Sequence, residues 1–122
     1  MNSWRNFNEG ELACSCCGEQ NPNIEFVELM DMVQELRDIV GFPLPVSSAY
    51  RCESHPIERA KKKPGQHNIA AIDLAVGYGQ AHTVLKAAML MGFTGVGINQ
   101  KGNGRFIHLD LRDPDLATVW TY

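Results

Sequence analysis

The chain has 122 residues, enough for one domain with its own core and too few for two ordinary ones. Hydrophobic residues at 44% and charged residues at 20% exclude an intrinsically disordered chain, and no apolar run approaches the length of a membrane span. A formal charge of -3 gives no electrostatic reason to expect nucleic acid as a partner.

Residues 1–11 carry Trp4, Arg5, Asn6, Asn8 and Glu9 and no apolar stretch that would serve as a secretory signal. The expectation is synthesis in the cytoplasm, with delivery to any target outside it by other means. Residues up to 20 are polar and irregular, and they bring Cys14, Cys16 and Cys17 close together in sequence; Cys52 is the fourth cysteine. Cys14-x-x-Cys17 and Cys52-x-x-His55 have the spacing of structural zinc sites. A disulfide from Cys52 to an N-terminal cysteine, or free thiols, fits the same residues. In the zinc reading Cys14, Cys17, Cys52 and His55 are the ligands and Cys16 is left over.

A helix follows. Asn21 or Asn23 can cap it, Pro22 suits its beginning, and Phe26, Leu29, Met30, Val33, Leu36 and Val40 recur at helical spacing before Gly41 stops it. After Phe42-Pro-Leu-Pro, residues 46–50 read as a short extended run. Residues 56–63 read as one or two helical turns ending in the solvated face Lys61, Lys62 and Lys63.

Residues 70–76 alternate, with Ile72, Leu74 and Val76 on one face and Ala71, Asp73 and Ala75 on the other. A second helix over residues 80–91 places Ala81, Val84, Leu85, Ala88 and Met91 on one stripe, with Gly92 after it and His82 exposed at its start. Val96-Gly-Ile-Asn, Gln100-Lys-Gly-Asn-Gly and residues 105–111 make a hairpin signal. In its second strand Ile107, Leu109 and Leu111 face one side, and Phe106, His108 and Asp110 the other. The expected fold is α+β: a single domain over residues 1–122 with a small, mainly antiparallel sheet packed with helices.

Two strands therefore share one design, aliphatic on one face and metal-competent on the other. Asp73, set between apolar neighbours in Ala71-Ile-Asp-Leu-Ala75, is costly to bury without a partner, and a cation is one such partner. His67, Asp73 and His108 supply the imidazole and carboxylate donors that zinc takes in a catalytic site with three protein ligands.

The stretches Ser47-Ser-Ala-Tyr-Arg51-Cys52, Gly65-Gln-His67 followed by Asp73, Gly92-Phe-Thr-Gly-Val-Gly97 and Phe106-Ile-His108-Leu-Asp110 together resemble the M15 family of zinc D-Ala-D-Ala peptidases. The likeness runs from about Phe7 to the end of the chain and is greatest to the small members found as phage endolysins and prophage-encoded proteins. It implies a hedgehog/D-Ala-D-Ala peptidase-like fold and a Zn²⁺ held by His67, Asp73 and His108. It also implies that Arg51 binds the substrate carboxylate or the developing oxyanion. The implied substrate is a peptidoglycan stem peptide, cut next to a D-amino acid by a carboxypeptidase or an endolysin-type endopeptidase. The place of action is then the bacterial cell wall or a phage particle, and the protein is expected to be a monomer without membrane insertion.

The chain departs from the family pattern twice. Five residues, none of them glycine, separate His67 from Asp73 where six with a glycine are usual, so a tighter connection is expected. Arg105 stands where many members place an acid as general base. Asp110 is the substitute, either activating the water or orienting a ligand, with Glu53 the next candidate. Trp120 serves either as a lid on the core or as a substrate platform. The competing class is a binding or structural module that keeps the fold and the zinc without turnover, as the resemblance to hedgehog signalling domains allows.

Overall fold

In the computed structural model, which describes residues 3–52, 54–59 and 65–122, the chain opens with a one-turn helix, α1 (Glu9–Leu12). A capping box starts it: Asn8 Oδ1 accepts from the Glu11 amide at 2.8 Å, and Glu11 Oε1 accepts from the Asn8 amide at 2.9 Å. The long helix predicted next is α2 (Ile24–Val40), with Asn23 at its N-cap position and Gly41 ending it in the left-handed conformation at φ 76. Strand β1 (Val46–Ser48) and the turn α3 (Pro56–Arg59) follow. Glu53, Lys61, Lys62 and Lys63 lie outside the described residues, and so does the second part of the 56–63 segment.

A third single-turn helix, α4 (Gln66–Ile69), runs through one extended residue, Ala70, straight into β2 (Ala71–Leu74). Helix α5 (Tyr78–Met91) begins two residues before the predicted start and is closed by Gly92 at φ 94. The hairpin forms as β3 (Gly95–Asn99) and β4 (Phe106–Asp110). A 3-10 turn at Pro114–Leu116 then leads into β5 (Thr118–Thr121), a strand that the periodicity did not reveal.

Among the described residues these strands form one sheet in the order β1-β2-β4-β3-β5. All neighbours are antiparallel except β3 and β5, which run parallel. This is the expected α+β fold with a mainly antiparallel sheet.

The alternation decides what each face does. Ile72, Leu74, Ile107, Leu109 and Val96 are buried in one core with Leu29, Val33 and Leu36 of α2 and Ala81, Val84 and Ala88 of α5. Burying each large aliphatic side chain contributes roughly 2 kcal/mol. One register row of the sheet then brings together Ser48, Asp73, His108, Gly97 and Trp120, from β1 to β5 in order. His82 is exposed, as predicted.

Candidate metal centre

Asp73 and His108 are directly paired residues of β2 and β4, so their side chains leave the sheet side by side. His67 reaches them from α4. The shortened connection is accommodated because helix and strand are joined by Ala70 alone, whose amide donates back to the Gln66 carbonyl at 2.7 Å. All three side chains are buried. His67 Nε2 lies 3.2 Å from Asp73 Oδ1, and His108 Nδ1 lies 3.0 Å from the same oxygen.

The outer nitrogen of each imidazole is already engaged. His67 Nδ1 is 2.6 Å from the Ala49 carbonyl oxygen, which can only accept, so this nitrogen carries the proton. His108 Nε2 is 2.7 Å from Asp110 Oδ2 and donates to that carboxylate. In neutral rings the two inward nitrogens therefore direct lone pairs at an ionised carboxylate. Three buried acceptors converge, and such a group is stable only with protons or a cation between its members.

Protons are one way to meet that need. Burial opposes charge on both sides, yet hydrogen bonds from His108 and His67 hold the Asp73 carboxyl down at about 2. Burial likewise works against a charged His108, but hydrogen bonds to Asp110 and Asp73 raise its pKa above the ordinary value. A metal can replace those protons. One donor atom from each residue lies within 4.8 Å of the others. Tetrahedral zinc with bonds of 2.0–2.1 Å separates its nitrogen and oxygen ligands by about 3.3 Å. The observed 3.0 and 3.2 Å need only a small expansion, and the outer hydrogen bonds already fix both rings for ligation. The residues fit a zinc ion.

Asp110 sits behind His108 and has no exposed surface. Its Oδ2 accepts from His108 Nε2 and from Arg112 Nη2, both at 2.7 Å, and its Oδ1 accepts from Arg112 Nε at 2.9 Å and from the Arg112 amide at 3.1 Å. Burial alone would raise this carboxyl. The Arg112 fork and His108 instead hold it well below the usual carboxylate range. Of the two roles expected for Asp110, this environment suits orientation of His108 far better than proton transfer at a water.

Trp120 flanks the other side of His108, with ring centroids 5.0 Å apart, and the Arg112 guanidinium lies 4.6 Å over the indole. Arg105, at the family's acid position, is used elsewhere. Its guanidinium lies 4.4 Å over the Tyr78 ring and its Nη1 donates to the Gln100 carbonyl.

Arg51 borders the centre through its backbone. Its amide donates to the His67 carbonyl at 2.9 Å, and its carbonyl accepts from Asn68 Nδ2 at 2.9 Å. Tyr122 has its ring 6.4 Å from that of Trp120, the neighbour of His108. Tyr122 is thus a neighbour of the site that sequence reasoning passed over. So is Gly95, whose position is described below.

The cysteines are free and converge as Cys14, Cys16, Cys17 and Cys52. His55 is not among them: its Nε2 lies 3.3 Å from Ser15 Oγ, and its Nδ1 accepts from the Ile57 amide. The left-over Cys16 therefore takes the place predicted for His55.

Residues 5–110 match the sequence model of a family described as Peptidase M15. No curated protein matches the chain.

Proposed function

Because the chain belongs to the peptidase M15 family, we propose that it is a zinc-dependent peptidase that cleaves peptidoglycan peptides next to a D-amino acid. In this reading His67, Asp73 and His108 hold the metal. The observation that carries it is the orientation of two buried imidazoles. Ala49 and Asp110 occupy their outer nitrogens, and the inner ones converge on Asp73.

Zinc held there would supply Lewis acidity, polarising a substrate carbonyl and acidifying a water. The chain's own residues do the rest. Asp110, locked by Arg112, keeps the His108 ring in one orientation and one tautomer. Arg51 offers a guanidinium that stays charged and grips a carboxylate or developing oxyanion with two bonds. Trp120 packs against the His108 ring on the β5 side, and Tyr122 follows it with its ring 6.4 Å from the indole.

Support for a cell-wall peptide comes from the ordered motifs around Arg51, His67 and His108 and from a cation suited to a terminal D-carboxylate. The bacterial cell wall is then the place of action. Among the described residues no helix is long and apolar enough to cross a membrane. The test is release of D-alanine or of cut stem peptides from purified peptidoglycan by the zinc-loaded chain, abolished by a chelator and restored by zinc. Zinc binding with no cleavage across a panel of cell walls would favour the non-catalytic module instead.

A further inference from the structure

A second convergence of metal-competent atoms lies apart from the site above. Cys14 Sγ is 3.4 Å from Cys16 Sγ and 3.6 Å from Cys52 Sγ, while Cys52 Sγ is 3.4 Å from Cys16 Sγ and 3.5 Å from Cys17 Sγ. All four sulfurs lie within 4.8 Å of one another. A disulfide needs about 2.05 Å between two sulfurs and leaves the other two unexplained. Tetrahedral zinc with Zn–S bonds of about 2.3 Å places its sulfurs about 3.8 Å apart, close to the spacing found.

The backbone around the cluster is arranged for thiolates. The Cys52 amide donates to Cys14 Sγ at 3.4 Å. A neutral thiol is a weak acceptor, and an amide donor aimed at sulfur suits a thiolate better. The turn that makes this possible closes with Gly18 at φ 77, whose amide donates to the Cys14 carbonyl at 2.8 Å. Without a cation four neighbouring sulfurs cannot all ionise. A divalent ion removes that conflict.

Packing alone gives the cluster little reason to exist. Its buried members are Cys14, Cys52 and Tyr50, a group separate from the main core, and residues 13–20 form no regular element. We infer that Cys14, Cys16, Cys17 and Cys52 bind a second, structural zinc ion as a four-thiolate site that fastens the N-terminal segment to the strand exit carrying Ala49 and Arg51. Cys52 follows Arg51 directly, and Ala49 is the residue that orients His67. The ion therefore braces the wall of the other site without touching it.

The experiment uses the full chain loaded with cobalt(II). Two metal equivalents are expected, with intense thiolate-to-cobalt charge-transfer absorption in the near ultraviolet. Cys16→Ser combined with Cys17→Ser changes two exposed side chains and should lose one equivalent together with that absorption, keeping the other equivalent. His108→Ala should do the reverse, so failure of one site is distinguishable from failure of the other. Should the cysteine variant not fold, the parent spectrum alone decides. Absence of the thiolate band would overturn the inference, whether the thiols alkylate freely in the native cobalt-loaded chain or its mass shows the two hydrogens lost to a disulfide.

Discussion

Asp110 faces Gly95 across the β4–β3 ladder, and its carboxylate fills the space that a Cβ on Gly95 would occupy. The same device recurs two residues along, on the same face: a Cβ on Gly97 would stand 2.7 Å from Cε2 of the Trp120 indole. The two glycines of β3 are thus the room in which the partners of His108 are seated. Neither has a positive φ, so the requirement is one of volume and not of backbone freedom.

Gly95→Ala should therefore dislodge Asp110, which the Arg112 fork prevents from yielding. His108 loses its orienting partner, and zinc affinity should fall by about 10–100-fold, the usual cost of removing a group behind a ligand. Competition against a chromophoric chelator measures this. Unchanged affinity would mean that Asp110 does not act through His108.

Much of this centre can be read in the sequence. Alternation in residues 70–76 and 105–111 puts Asp73 and His108 on faces opposite the aliphatic residues, and the strands pair as that parity requires. The rest depends on distant neighbours. Helix α4 is a single turn, too short for any periodicity to declare the setting of His67. Strand β5 has no apolar alternation, and its pairing with β3 is parallel and remote in sequence. Gly95 acquires its role only from the strand beside it. At the cysteines, spacing favoured His55 over Cys16, whereas the turn closed by Gly18 brings the still exposed Cys16 beside Cys14 and Cys52.

Asp110→Asn tests the orienting role directly. The amide keeps the shape and one acceptor oxygen but sets an NH₂ against either Arg112 or His108. The variant should lose about 1–3 kcal/mol of stability, since Arg112 is only partly buried, and should bind zinc more weakly. Denaturant melts of the metal-free chain read the first effect and zinc titration the second. A variant with parental stability and affinity but no hydrolysis would instead restore Asp110 as the base.

Arg51→Ala separates binding from structure. The bonds of Arg51 to His67 and Asn68 are made by its backbone and survive the substitution. Zinc content should be unchanged, while kcat/KM on peptides ending in a free D-carboxylate should fall by about 10²-fold, as when one anion-stabilising donor is removed. Equal kcat/KM for parent and variant would remove Arg51 from the site.

The central claim is that His67, Asp73 and His108 hold the metal that makes the chain a peptidase. Elemental analysis of purified His108→Ala beside the parent tests it most directly, because the readout is independent of substrate and of the cysteine site. The account predicts that the variant, still folded by circular dichroism, carries one zinc equivalent fewer than the parent. A folded variant with the parent's full zinc content would contradict it.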